Sequence, residues 1–367
     1  MKISNKMNVL HICLSTGFGG LEMYPMRVGA IMMSQDCNVY GMGQAGTPTN
    51  ARMVETFDST LSLSSRGEGY RKLFSIAQWI KQRQIDVVHC HKSSDLTLAV
   101  LLKKICGFKL IYTDHMGVKR SKRDFYHRFI YRNVDLVLSI SSFTRSGNVK
   151  ALPISESKIK KLWIGTEIAD IEETDFNLKT ELSLPLDTIL IGIVGRLSNG
   201  KGHLELLKAF RQLKLSQAHL VIVGGLTAAT GGSEDYVRML ESYVIENDLQ
   251  DKVTFYGFTD KPNILLKTVD IVVIPSHNEA FGLTVIEAMA AKKAIVGSSY
   301  GAIPEILEDT GVIVDPFDTE AFANVIDSLS SSVEERERLA ILARRRACDF
   351  FDQKKHVDTL LEIYRAC

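Results

Sequence analysis

The chain has 367 residues, 45% hydrophobic and 24% charged, with a net charge of +1, which excludes a disordered protein and leaves room for two α/β domains. No run reaches the roughly 18 apolar residues of a membrane span, and six cysteines without a CxxC pair exclude a disulfide scaffold or cysteine zinc site. The near-neutral total conceals a split: residues 1–168 hold 24 Lys and Arg against 12 Asp and Glu, the rest 20 against 31, so the first half is expected to meet something anionic.

In chain order, residues 7–14 predict a strand that follows a short polar start rather than a signal peptide, so a cytoplasmic protein is expected. A turn containing Gly19 and Gly20 leads into helical spacing over 23–33. The first strand-to-helix turn is where doubly wound folds bind phosphate, although an ordinary tight turn accounts for the glycines equally well. The turn is not GxGxxG and no acid ends the second strand, 39–42, so a dinucleotide dehydrogenase is excluded. A helix over 70–84, a strand over 85–90, a helix over 96–106 and a strand over 109–113 follow. His89 and His91 close the first of these strands and read as packing rather than metal ligands; Asp114 and His115 close the second. His115 stands where it could hydrogen-bond a sugar or acceptor hydroxyl, although a lone histidine is more often structural. Strands over 134–140 and 157–164, with Ser141 and Ser142 as caps between, complete this half.

Residues 119–132 carry six Lys and Arg and one acid, interleaved with Phe125, Tyr126, Phe129, Ile130 and Tyr131. At helical spacing these form a broad apolar face ringed by cations, suited to an anionic membrane surface or a phosphorylated lipid acceptor, or to an ordinary core helix. No nucleic-acid module is recognisable, and no nucleic-acid partner is expected.

Residues 165–186 are aperiodic and acidic, with Asp170, Glu172, Glu173 and Asp175, and read as a connection. Alternation then restarts. A strand over 189–194 runs into Gly195, Arg196, Lys201 and Gly202 and then a helix through 215. A strand over 219–223 ends at Gly224 and Gly225, a helix spans 236–246, and a strand over 253–256 ends at Gly257 and Phe258. A short helix over 264–267 precedes the strand 270–274, and a loop with Glu279 and Ala280 leads through Phe281 and Gly282 into a helix bearing Leu283, Thr284 and Glu287. Strands over 294–297 and 311–314 and helices over 319–329, 333–348 and 356–364 close the chain. The fold class expected is α/β, with two Rossmann-like, doubly wound parallel-sheet domains facing across a cleft, 1–168 and 169–350.

The chemistry gathers in the second half. Arg196 offers a planar donor fork and Lys201 a point charge, a pair able to neutralise a departing pyrophosphate, the alternative being two solvated loop cations. Glu279 and Glu287 flank a helix start, a natural anion site that carboxylates alone would spoil. They make sense if each holds hydroxyls on either side of a diphosphate, the layout of a nucleotide-sugar; on spacing alone, a cap and a solvated helix residue serve as well.

With these residues assembled, the chain resembles the family 4 retaining glycosyltransferases of GT-B fold. Glu279 and Glu287 with Phe281 and Gly282 between them carry the likeness, together with Gly195, Arg196, Lys201 and Gly202, and with Gly19, Gly20, His115, Gly224 and Gly225 in family order. The resemblance implies that Glu279 holds the donor sugar, Glu287 the ribose, and Arg196 and Lys201 the pyrophosphate. Gly20 would contact phosphate, amides from Phe281 to Thr284 would complete the donor pocket, backbone at Gly257 and Phe258 would read the base, and His115 would lie beside the transferred sugar. It implies no metal and no cofactor: the two cations stand in for a divalent ion, and the donor, a UDP-sugar favoured over a GDP-sugar although both share these motifs, is a substrate. It also implies that residues 351–367 pack back on the first domain. Thr166 and Glu167 depart from the usual turn after the last strand of the first domain, and Gly225 stands where an acid is common. The reaction implied is transfer of a hexose or N-acetylhexosamine, with retention, to a glycan or lipid-linked acceptor in surface polysaccharide or lipopolysaccharide synthesis, at the inner face of a membrane. A nucleotide-sugar epimerase of the same fold, or a non-catalytic nucleotide-sugar-binding protein, are the alternatives.

Overall fold

The computed structural model describes residues 6–17, 19–118, 120–169 and 176–367. The expected acids Asp170, Glu172, Glu173 and Asp175, and Lys119 of the basic segment, lie outside the described residues. Two compact units divide the chain: Met1–Ile164 with Gln353–Cys367, and Gly165–Asp352.

The first unit is built on seven parallel strands: β1 Met7–Cys13, β2 Cys37–Gln44, β3 Ser59–Leu63, β4 Val87–Cys90, β5 Lys109–Asp114, β6 Leu136–Ser139 and β7 Ile159–Lys161. Their order is β3-β2-β1-β4-β5-β6-β7. The second holds six parallel strands: β8 Ile189–Val194, β9 Ala218–Val223, β10 Val253–Gly257, β11 Ile271–Ile274, β12 Ala294–Ser298 and β13 Val312–Val314. These run β10-β9-β8-β11-β12-β13. Helices cover both faces of such sheets, so the central strands are apolar without alternation. Val9, Leu10, Ile12 and Val88 are fully buried, as are Leu190, Ile191, Val272 and Val273. In each sheet the strand order reverses once, between β1 and β4 and between β8 and β11, which leaves a crevice beyond the carboxyl ends of those strands.

Several expectations need correction. The helix expected over 70–84 is two, Arg66–Arg71 and Leu73–Gln82, joined at Lys72. Gly69 of the first packs so closely on Leu98 that a Cβ would come within 2.7 Å of its side chain. The strand expected over 157–164 contracts to β7. A helix Pro48–Thr56 and strand β3 are additional elements, as is the short helix Ile303–Leu307. Among the described residues of the basic segment, Phe125–Arg132 is helical, started by Asp124, whose side chain accepts from His127 N. Its apolar residues split: Ile130 and Tyr131 are buried, whereas Phe125 is 90% exposed and Tyr126 and Phe129 are exposed beside it.

The final helix, Gln353–Ala366, belongs to the first unit. Its His356 Nε2 lies 2.8 Å from Tyr24 OH, its Tyr364 OH 2.5 Å from His89 Nδ1, and its Asp358 accepts from Gln35.

Candidate active site

In the second unit, Gly195 follows the last residue of β8, and the turn it opens includes Gly200 and Gly202 at φ 91° and 79° before the helix His203–Arg211. The left-handed backbone favours glycine at both. Gly202 has a second reason: a Cβ there would stand 2.0 Å from the Pro275 carbonyl oxygen, so the loop after β11 lies directly on this turn. His277 N donates to Gly200 O at 2.9 Å and fixes the same contact. Lys201 and Glu279 are thereby brought together as an ion pair, and Ser276 Oγ donates to the same Glu279 oxygen at 3.2 Å. The backbone of Glu279 is pinned in turn: its carbonyl accepts from Ala302 N at 2.9 Å, and Gly301 packs where a Cβ would come 2.4 Å from it. These side chains line a small cavity with Gly195, Pro275 and Thr284.

The other expected donor residues of the second unit lie on its loops and on one helix start. Gly224 and Gly225, after β9, abut the Gly195 and Thr230 carbonyls, with 2.0 Å left for a Cβ at each. Gly257 ends β10 at φ 88° and accepts from Gly224 N, and Phe258 beyond it is exposed. Phe281 is buried edge-on to Phe351, and Gly282, at φ 97°, starts the helix Leu283–Ala290 without a side-chain cap. Ala280, Leu283 and Thr284 are half-buried around it, and Glu287 is half-buried in the second turn of that helix, apart from the cavity lining. Arg196 is exposed on the same turn and makes no ion pair among the described residues.

Two residues were overlooked. Ser276 supports Glu279, and His203 lines the cavity with both ring nitrogens buried and unpartnered. Burial lowers the His203 pKa to about 4, so the ring is neutral. Its position directly after Lys201 and Gly202 was the available signal.

In the first unit, Gly19 precedes the helix Gly20–Ser34, which has no side-chain cap. Pro25 falls inside this helix, and its missing N–H leaves the Leu21 carbonyl without a helical partner. A cavity of about 330 Å³ lies beyond β4 and β5 and includes Leu21, His91 and His115 in its wall. His115 is buried, with Nε2 3.3 Å from His91 Nδ1 and the Tyr24 ring edge-on at 4.8 Å. Burial pushes its pKa down to about 3. His91 Nε2 lies 2.9 Å from His11 Nδ1, and His89 sits between Tyr364 OH and Thr113 Oγ1. The ligand atoms of His11, His89 and His91 fall within 4.8 Å of one another, yet of their ring nitrogens only His11 Nε2 has no hydrogen-bond partner. A metal there would have to displace several of these bonds.

The two halves each match a family profile. Residues 18–165 match Glycosyltransferase Family 4, and residues 175–346 match the glycosyl transferases group 1. The chain belongs to the family 4 glycosyltransferases. It is 27% identical over 300 residues to an uncharacterised glycosyltransferase of Methanocaldococcus jannaschii, covering 76% of this chain and 75% of that one. To the lipopolysaccharide core biosynthesis mannosyltransferase LpcC of Rhizobium leguminosarum bv. viciae it is 26% identical over 263 residues, 70% of this chain and 71% of that one. In fold it is similar to Anabaena HepE in complex with UDP-glucose, with a TM-score of 0.83 at 20% identity over 98% of this chain and 100% of that one. The fold of this family 4 enzyme is accordingly GT-B, with the seven-stranded and six-stranded sheets as its two Rossmann-like domains. No described helix is long and apolar enough to cross a membrane.

Proposed function

We propose that this chain is a retaining, metal-independent glycosyltransferase that moves a hexose or N-acetylhexosamine from a UDP-sugar to a glycan or lipid-linked acceptor in cell-surface polysaccharide or lipopolysaccharide synthesis. One observation carries the reading: Lys201, Glu279 and Ser276 converge at the carboxyl ends of β8 and β11, where the strand order reverses. In open α/β sheets that is the ligand crevice. Lys201 exchanges its carboxylate partner for the donor diphosphate and neutralises it as the sugar departs, and Arg196, exposed on the same turn, adds a second cation. Glu279 accepts hydrogen bonds from the sugar hydroxyls and Glu287 from the ribose. Backbone N–H groups at the uncapped start of Leu283–Ala290 supply further donors to phosphate. These groups bind and neutralise, and none is assigned as a nucleophile. The choice of UDP is supported by the likeness to a structure that holds UDP-glucose, and the pathway by the lipopolysaccharide mannosyltransferase among the relatives. A thermal-shift panel of UDP-, GDP- and ADP-sugars tests the donor. A UDP-sugar at one hundred times its Kd stabilises by about 2.7 kcal/mol; absence of any nucleotide-sugar shift at millimolar concentration overturns the assignment, and activity abolished by EDTA overturns metal independence.

The same reading places the enzyme peripherally on the cytoplasmic membrane. Phe125, Tyr126 and Phe129 are exposed on one short helix, and Arg123, Arg128, Arg132 and Lys158 line an open depression of about 530 Å³ beside it. Exposed aromatics ringed by cations suit an anionic bilayer surface. Cosedimentation with phosphatidylcholine vesicles containing 30% phosphatidylglycerol is expected, falling at 0.5 M salt and in a Phe125→Ser/Phe129→Ser variant. Equal binding to pure phosphatidylcholine, or none at all, removes this part.

A further inference from the structure

His203 opens the helix His203–Arg211, directly after the left-handed Gly202 that lies on Pro275. Its imidazole stands edge-on to the Tyr236 ring at 6.0 Å, and the Tyr236 hydroxyl lies by the backbone N–H groups of Leu204 and His203. Tyr236 is not part of the cavity wall, so the histidine is held from behind. The side chain is 1% exposed, yet neither ring nitrogen has a hydrogen-bond partner among the described residues. A buried polar atom without a partner destabilises a fold. In the wall of a cavity such an atom marks a place that a ligand completes.

The wall is shared with Lys201, Ser276, Glu279 and Thr284. Lys201, Ser276 and Glu279 already bond to one another, whereas His203 keeps both of its nitrogens unused. Burial, with Lys201 nearby, lowers the His203 pKa to about 4, so the ring is neutral. A neutral imidazole offers one donor and one acceptor. A phosphate brings acceptors only, and a cation such as Lys201 serves it better. A hydroxyl both donates and accepts, and it matches the ring whichever tautomer is present. The size of the cavity points the same way. It holds about 30 Å³, and a water-sized group needs about 10–15 Å³, so one hydroxyl or hydroxymethyl fits. A whole sugar ring does not, and neither does an acetamido group.

We infer that His203 reads the donor sugar: the ring of the sugar lies over the mouth of this cavity and inserts one free hydroxyl, which hydrogen-bonds to the imidazole beside Glu279. A donor with hydrogen at that carbon leaves the buried nitrogens unpaired, and a donor with an acetamido group there is too large. The inference rests on the transferase reading above for the nature of the ligand. It goes beyond that reading by assigning a specificity residue and requiring a free hydroxyl at one carbon of the donor sugar.

The full-length protein is titrated by calorimetry with UDP, GDP, UDP-glucose, UDP-galactose and GDP-mannose. Singly deoxygenated analogues of the tightest sugar nucleotide follow, one for each hydroxyl of its sugar. At least one analogue is expected to bind about ten- to hundred-fold more weakly than its parent sugar nucleotide, the usual result of leaving a buried hydrogen-bonding group unpaired. In His203→Phe, which keeps an aromatic ring edge-on to Tyr236, the same two ligands are expected to differ by less than about threefold. His203→Asn retains a donor and an acceptor, and it should restore part of the difference. Urea melts distinguish this role from a packing role. His203→Phe is expected to be at least as stable as the parent protein, because two unpartnered polar atoms leave the interior. Discrimination that survives unchanged in His203→Phe overturns the inference, whether or not stability is lost. Equal binding of every deoxygenated analogue to the parent protein overturns it too, as does binding of UDP or GDP to which no sugar adds affinity. Failure of all nucleotides to bind removes the transferase reading instead.

Discussion

Lys201→Ala is expected to lower kcat by about 10²- to 10³-fold, the usual loss when one preorganised group facing developing charge is removed. The argument is electrostatic. As the bond from sugar to diphosphate breaks, negative charge grows on the leaving oxygens, and a fixed ammonium is worth more in that transition state than in the bound donor. The loss therefore falls in kcat more than in KM. The structure adds a second consequence. Glu279 has only 18% of its side chain exposed and shares one oxygen between Lys201 and Ser276, so alanine at 201 leaves a half-buried carboxylate held by Ser276 alone, beside the proposed diphosphate position. Donor KM should rise as well, and Glu279→Gln in the Lys201→Ala background should recover part of that rise by removing like-charge repulsion, although it still loses sugar contacts. Lys201→Arg is not a rescue, because a planar fork does not replace a compact ammonium paired with one Glu279 oxygen. Steady-state kinetics of the four proteins decide the matter. A Lys201→Ala kcat within threefold of the parent protein would sink the assignment.

The turn that holds Lys201 was legible in the sequence because its signals are local. A β-branched run ending in glycine, a cation pair and a second glycine announce strand, turn and helix start before any contact is known. The same holds for the loop after β11. What lies across the turn was not legible. Arg196 and Lys201 read together as a cation pair, whereas the ion pair that Lys201 makes with Glu279, 78 residues further along the chain, carries no local signal. Strand β3 was missed because it is a short edge strand with Ser59, Thr60 and Ser62, lacking the apolar run that betrays a central strand. The helix before it begins with a Thr47 cap and Pro48, which are recognisable start signals, but its few apolar residues hide the period. The cavity of the first unit draws Lys92, Asp114 and Lys122 from three separate stretches, and their meeting depends on β4 and β5 lying side by side. No local pattern carries a sheet order.

The histidines of the first unit follow the same rule, with a larger physical consequence. Only His89 and His91 stand close in sequence; His11 comes from β1, His115 from the end of β5 and His356 from the final helix, and all five are buried together. Burial lowers His11 and His115 to about 3 and His356 to about 4, and depresses His89 and His91 as well, where their histidine neighbours add to it. In the unfolded chain each titrates near 6.5. Below that pH the unfolded state binds protons that the folded state refuses, so stability is fully present above about 6.5 and falls with pH until the folded pKa values near 3 to 4 are reached. Each histidine contributes a slope of about 1.4 kcal/mol per pH unit, and five acting together approach 7 kcal/mol per unit. Against a typical domain stability of about 5–15 kcal/mol, this is enough to unfold the first unit within one to two units below 6.5. The second unit has only His203 and His219 lowered in this way and should outlast it. Urea melts at pH 7.5, 6.5, 5.5 and 4.5, followed by hydrogen exchange of peptides from each unit, are expected to show the first unit and the final helix opening near pH 5 while β8 and β11 stay protected. His11→Phe keeps an aromatic ring against Phe57, 5.8 Å away, and should flatten the slope by about one histidine. Equal protection of both units from pH 7.5 to 4.5 would show instead that the buried rings take up protons within the fold.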